Sequence, residues 1–285
     1  MRLIQIICVS AFAVGLLISC ESTGVKKKET DNPKVSIDDD VDKVPEIDQV
    51  KDVKDTLTLD NGIRIKWFER GEGEQMKYGE LYAIDFRVMI DNGDIVDGNH
   101  LLKKESIPFM IGFEMQTPGW DIALKNLKVG DFAEIFIPSE LARGEKGIKD
   151  LIPPNANNIL RIRVLNKMKA DRNVDGNKVW IFERNESNTL GFDDSQELIF
   201  HTITSSQSNP RYVNSYMDGR AFSMRLADYG VVPGLKKALI NAKKADRMLV
   251  FVPASEAYKS KGYLDVVKPN EDLLYNMLIM DVIQE

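Results

Sequence analysis

Residues 118–124, Pro118-Gly119-Trp120-Asp121-Ile122-Ala123-Leu124, return 115 positions later as Pro233-Gly234-Leu235-Lys236-Lys237-Ala238-Leu239. The agreement extends outward on both sides. Phe68-Glu69-Arg70 recurs as Phe182-Glu183-Arg184, Ile137-Pro138 as Val252-Pro253, Ala142 as Ala257, Gly147 as Gly262, and Pro154-Asn155 as Pro269-Asn270. A series that keeps one register to within a residue across a whole unit marks two copies of one domain. The copies span residues 56–170 and 171–285. Each has the size of an autonomous domain, so each is expected to fold on its own.

Within the first copy the pattern is that of strands around one short helix. Ile63, Ile65 and Trp67 alternate with polar neighbours, as do Leu160, Ile162 and Val164, which is the period of a half-buried strand. Asn92-Gly93 stands between the apolar runs Val88-Met89-Ile90 and Ile95-Val96, a strong hairpin signal. The stretch from Asp121 to Leu127 carries Ile122, Ala123 and Leu127 on one helical face and has room for two turns. Phe132 to Ile137 then returns to strand. Antiparallel strands wrapped on a single short helix make an α+β domain, with one concave face able to take a ligand.

The chain has 285 residues, 43% hydrophobic and 29% charged, with a net charge of −6. That describes a globular body and argues against nucleic acid, whose phosphates need a clustered basic surface. The N-terminus differs from the rest. Arg2 precedes an apolar run from Leu3 to Ser19, the pattern of a secretory signal over residues 1–19. Its end, Leu17-Ile18-Ser19-Cys20, resembles the bacterial lipobox, whose cysteine becomes the acylated first residue of the mature protein. An uncleaved membrane anchor is the alternative, and both readings put the following residues outside the cytoplasm. Cys8 would leave with the signal, so Cys20 would be the sole cysteine and no intramolecular disulfide could form. Residues 20–55 are rich in Lys, Asp and Glu and read as a disordered tether. His100 and His201 stand alone, without ligand-spaced partners, so no metal site is expected.

Gly119-Trp120-Asp121, Leu127-Lys128-Val129-Gly130, Ile137-Pro138, Ala142, Gly144 and Ile152-Pro153-Pro154-Asn155-Ala156 together resemble the signature of FKBP-type peptidyl-prolyl isomerases. The match covers nearly all of the first copy. The second is recognisable mainly through the first, with support from Val232-Pro233-Gly234 and Ala257-Tyr258. The resemblance implies rotation about X-Pro peptide bonds in an apolar pocket, with no nucleophile, metal or cofactor. It implies proline-containing polypeptides of the bacterial envelope as partners, for a chain lipid-anchored through Cys20 at the outer membrane. The alternative is a noncatalytic lipoprotein that uses the same shape to hold peptides or proteins in an envelope assembly such as gliding or secretion machinery.

Position by position, the resemblance puts the first pocket at Phe86, Val96, Asp97, Ile107, Gln116, Thr117, Trp120, Arg143, Ile152 and Leu160. Trp120 would be the floor, Phe86 a side, Asp97 a polar wall, and the Thr117 N–H a donor to the substrate carbonyl. Phe86 replaces a family tyrosine, Val96, Ile107 and Leu160 replace phenylalanines, Gln116 an apolar residue and Arg143 a tyrosine. Without the resemblance, Trp120 reads as core, Asp97 as a turn residue and Arg143 as a solvated loop residue. The matching positions of the second copy are Thr202, Tyr212, Val213, Phe222, Val231, Val232, Leu235, Tyr258, Val267 and Tyr275. Leu235 stands for the tryptophan there and Val213 for the aspartate.

Overall fold

The computed structural model describes residues 46–49 and 52–284. The signal segment 1–19, Cys20 and the tether up to residue 45 lie outside the described residues. The first copy runs β1 (Asp55–Thr58), β2 (Arg64–Glu69), β3 (Leu81–Ile90), β4 (Ile95–Gly98), β5 (Ile107–Met110), α1 (Pro118–Leu124), β6 (Phe132–Ile137) and β7 (Asn158–Lys167). The second runs β8 (Arg172–Val174), β9 (Asn177–Glu183), β10 (Gln196–Ser206), β11 (Val213–Asn214), β12 (Phe222–Met224), α2 (Pro233–Leu239), β13 (Arg247–Val252) and β14 (Leu273–Gln284).

Each copy forms one antiparallel sheet. Its order is β1-β2-β6-β7-β3-β4 with β5 on β3, and β11-β10-β14-β13-β9-β8 with β12 on β10. These are the same connectivity, read from opposite ends. Both long third strands carry an irregularity near the same place, between Ala83 and Ile84 and between Ile199 and Phe200. The Asn92-Gly93 signal marks the β3–β4 turn, where Gly93 takes φ +88° and its N–H donates to Ile90 O at 2.8 Å.

The helix starts at Pro118 and ends at Leu124, three residues earlier at each end than its apolar face suggests. Proline supplies the fixed φ of a first helical position, and Asn126 and Leu127 then turn back onto the Ala123 and Leu124 carbonyls. Gly119 and Gly234 let the helices approach the sheet. A Cβ at Gly119 would lie 2.3 Å from Ile137 Cγ2, and one at Gly234 2.6 Å from Val252 Cγ1. Beneath the helices lie separate cores, including Ile65, Phe86, Trp120, Ile135 and Leu160 in one and Val179, Leu235, Val250 and Tyr275 in the other.

One expectation meets a different outcome. The tether was expected to run to residue 55, yet Glu46–Asp48 forms a 3-10 turn, and β1 begins at Asp55. Ile47 is 1% exposed and packs with Phe68 and Phe132, while Asp48 meets the buried Arg87 at 3.4 Å. One apolar side chain in an otherwise polar stretch is enough to dock this turn. The two copies also pack against each other. A third core joins Leu81, Met110 and Phe113 of the first to Trp180, Leu249, Phe251 and Leu274 of the second. Tyr78 donates to Asp272 at 2.9 Å and Lys178 to Glu80 at 2.7 Å across the same boundary.

In each copy a fully buried aspartate secures the entry into the central strand. Asp131 accepts from Trp67 Nε1 at 2.8 Å, Gly71 N at 2.6 Å and Lys128 N at 3.0 Å. Asp246 accepts from Arg184 Nε and Lys243 N, both at 2.9 Å. Hydrogen bonds to an ionised group contribute more than neutral ones, and stranded buried donors carry their own penalty. Asp131→Ala is therefore expected to lower unfolding stability by about 3–5 kcal/mol, read from urea denaturation. A loss below about 1 kcal/mol would show that the carboxylate does not organise the sheet.

Candidate functional site

In both copies the start of the helix, the third strand and the hairpin after it converge on one place. In the first copy Trp120 is the centre. It is 2% exposed, with Phe86 of β3 edge-on at 5.2 Å and Phe109 of β5 tilted against it at 5.5 Å. Such pairs hold one another in place beyond simple area burial. Thr117 precedes the helix in extended conformation, and its carbonyl accepts from Trp120 N at 3.0 Å. Val96, Ile107, Gln116, Ile152 and Leu160 are buried around this group.

Asp97 and Arg143 are only partly covered. Burial pushes the Asp97 carboxyl above its ordinary range, against the pull of the Gly98 N–H and the Arg143 charge. Arg143 donates to Gln116 Oε1 at 3.4 Å. The apolar positions of the ten are buried members of the first core, and Asp97 and Arg143 are partly exposed.

In the second copy the matching positions border a cavity. A cavity of about 270 Å³ is lined by Thr202, Tyr212, Val213, Phe222, Val231, Val232, Leu235, Tyr258 and Tyr275. Of the ten expected positions only Val267 does not line it; it is buried in the core behind. Phe200, Thr204, Met224 and Tyr263 also line the cavity and were not anticipated. Phe200 and Thr204 sit two residues to either side of Thr202 on β10, so the two-residue strand period could have found them. Tyr263 lies in a loop and gives no such signal; it stacks on Tyr258 at 4.8 Å.

No side chain around this cavity carries a charge. Burial pushes the hydroxyls of Tyr212, Tyr258 and Tyr275 further up from an already high range, so they stay neutral. The wall is aromatic and aliphatic, with hydroxyl groups as its polar points. Chemically it suits an apolar ring flanked by amides, and it contains no acid–base pair.

The model of the FKBP-type peptidyl-prolyl cis-trans isomerase family matches residues 72–165 and again 192–280. The chain belongs to the FKBP family. FK506-binding protein 1 of Candida glabrata is 32% identical over 111 residues, covering 38% of this chain and 95% of that protein. The peptidyl-prolyl cis-trans isomerase Mip of Coxiella burnetii is 28% identical over 112 residues, 39% of this chain. The chain spans only 47% of Mip's length. Among solved structures, that of the three FKBP domains of wheat FKBP73 is similar with 19% identity and a TM-score of 0.39, covering 79% of this chain and 97% of that one. In this chain the two FKBP domains keep the family sheet and helix while differing from each other at the pocket.

A further carboxylate holds the helix of the first copy. Asp121, next to Trp120, accepts from Gly112 N at 3.0 Å and Glu114 N at 2.9 Å, and its Oδ1 is buried without a partner. Burial raises its pKa from 3.8 to about 6, against those two N–H groups. An acid whose folded pKa lies above its unfolded one adds its stability in full below the unfolded value. That contribution is lost as pH rises through the folded one. Wild-type stability should thus fall, by roughly 2–3 kcal/mol relative to Asp121→Asn, between pH 4 and pH 7. Parallel pH profiles for the two proteins would remove this role.

Proposed function

We propose that this chain is a peptidyl-prolyl cis-trans isomerase and folding helper of the bacterial cell envelope, lipid-anchored at the outer membrane through Cys20. The observation that carries the activity is the uncharged aromatic cavity of the second copy, built at the positions where the first places Trp120 and its neighbours. Its volume is close to that of small ligand clefts.

The reaction needs little chemistry. Rotation about the peptide bond meets a barrier of about 18–20 kcal/mol because the planar amide has resonance that the twisted form lacks. The planar amide is the more polar state, so a dry apolar wall costs it more solvation than it costs the twisted one. A thousandfold acceleration asks for only about 4 kcal/mol. In the first copy Trp120 and Phe86 would exclude water, the Thr117 N–H would hold the substrate carbonyl, and Asp97 would face the twisting amide.

A specific observation favours a second reading, noncatalytic peptide binding in an envelope assembly. The second copy, which borders the cavity, has Leu235 and Val213 in place of tryptophan and aspartate. A protease-free isomerisation assay with a Leu-Pro tetrapeptide separates the two. Acceleration by the full chain, reduced about tenfold in kcat/KM by Trp120→Leu, supports catalysis at the first copy. Binding without acceleration would leave the second reading in its place. For the anchor, metabolic labelling with a fatty acid should mark the native chain and not Cys20→Ala; equal labelling would end the lipoprotein reading.

A further inference from the structure

On the sheet face turned away from the helix, the two copies meet the same four places with different side chains. In the first copy Glu69, Phe132, Arg163 and Asp85 stand side by side across β2, β6, β7 and β3. In the second, Glu183, Arg247, Leu278 and His201 hold the matching places on β9, β13, β14 and β10. The first row is strapped over by the Glu46–Asp48 turn. Ile47 is buried against Phe132, and Asp48 lies 3.4 Å from Arg87, whose guanidinium also holds Asp85 at 2.9 Å. The second row borders a cavity of about 530 Å³ instead, together with Tyr216 and the 42% exposed Met280. The chain has no second strap to offer from the matching place, because the residues 115 positions after Glu46–Asp48 are Arg161–Arg163, inside β7.

The walls of this groove define what fits it. Tyr216 stacks on His201 at 4.7 Å, and His201 Nδ1 lies 3.0 Å from Ser215 Oγ, so the aromatic wall is held in place. Leu278 and Met280 supply aliphatic surface beside it. Arg247 is half-buried and pairs through Nε with Glu183 at 2.9 Å. A planar guanidinium can take a second carboxylate, as Arg87 does with Asp48 and Asp85. The groove also continues an established interface. Leu249 and Leu274, at even spacing from Arg247 and Leu278 and so on the same face, are the side chains that pack on the first domain. Thr202 and Tyr275, at odd spacing from His201 and Leu278, face the other way into the 270 Å³ cavity.

We propose that this groove is a peptide-binding site separate from the proline pockets, and that it takes a segment of a partner polypeptide in which a branched apolar residue is followed by a carboxylate. The apolar side chain seats on Leu278 and Met280 beside Tyr216, and the carboxylate pairs with Arg247. The partner thus repeats on the second domain what Ile47 and Asp48 do on the first.

The test titrates a proline-free peptide, Ser-Ser-Glu-Ile-Asp-Gln-Ser, into the full chain with labelled Ile, Leu and Met methyl groups, followed by NMR. The Leu278 and Met280 methyl signals should shift while that of Ile47 stays in place. Exchanging the peptide's Ile for Ser, or its Asp for Lys, should weaken binding about tenfold, and the effect of the Lys exchange should shrink at high salt. Leu278→Arg, which installs the residue the first copy carries at that place, and Arg247→Gln should each weaken binding of the parent peptide about tenfold, with urea unfolding showing that the variants are folded. If Leu278→Arg does not fold, Arg247→Gln decides alone. Absence of binding to the full chain, as when the chain's own residues or a second copy fill the groove, overturns the proposal. So does a shift of Ile47 in place of Leu278 and Met280, equal binding of the Asp and Lys peptides, or binding that survives substitution of the groove. Because the peptide has no proline, each of these outcomes leaves the isomerase reading standing.

Discussion

A carboxylate with no access to water, at Asp131 and again at Asp246, is the constraint on which each half of the molecule rests. An ionised group in that position must have its acceptor capacity filled by nearby donors. For Asp131 the donors come from two separated pieces of chain: the end of β2 with the loop after it, and the turn before β6. Its own backbone joins the ladder as well, since the carbonyls of Asp131 and Asp246 accept from Val164 N and Ile279 N. Once these pieces are tied, β6 or β13 enters the middle of the sheet in fixed register, and the helix just before it has one place to lie. The copies solve the same problem with different donors, an indole in one and a guanidinium in the other. The carboxylate, its burial and its backbone partners are what they share.

The outer faces of the two sheets show why the halves cannot be treated as interchangeable. On β6 the outward Glu134 pairs with Arg161 of β7 at 3.1 Å. The position matching Glu134 in the second copy is Leu249, which is buried with Phe251 and Leu274 against Leu81, Met110 and Phe113. A strand packed on both faces reads as a continuous apolar run, and Met248-Leu249-Val250-Phe251-Val252 is such a run. Each large side chain removed from water there contributes on the order of 1.5–3 kcal/mol. The second domain owes that part of its stability to the first, and at the boundary Met115 and Arg211 line one small cavity with Leu249 and Leu274.

Much of the fold was legible because it is written in local signals that tertiary contacts do not override. The alternation of Ile63, Ile65 and Trp67, the Asn92-Gly93 turn and the repeated Pro-Gly helix start each have a local physical cause. The strand Phe132–Ile137 agrees with the sequence pattern at both ends. What was not legible depends on packing between distant segments. Nothing near Ile47 announces that Phe68 and Phe132 lie ready to cover it, and the run at β13 is equally compatible with a deep core and a domain interface. The site divides in the same way. The repeat register leads to most of the lining of the second cavity, whereas Tyr263 reaches it from a loop whose path no periodicity describes.

The two pockets differ by a small number of exchanges. A tryptophan indole at the floor meets Phe86 and Phe109 and fills the space between helix and sheet. At the matching place Leu235 is smaller and branched, and Thr202 stands for Phe86, so two rings are absent from the same volume. The second domain places other rings on the cavity: Phe222 packs on the buried Phe200 at 6.0 Å, Tyr263 on Tyr258, and the buried Tyr275 stands for Leu160. These rings do not fill the space, and a cavity of about 270 Å³ remains among them. In the first domain the rings are in the floor and charge is at the rim. The same scaffold thus distributes its aromatic bulk differently in its two halves.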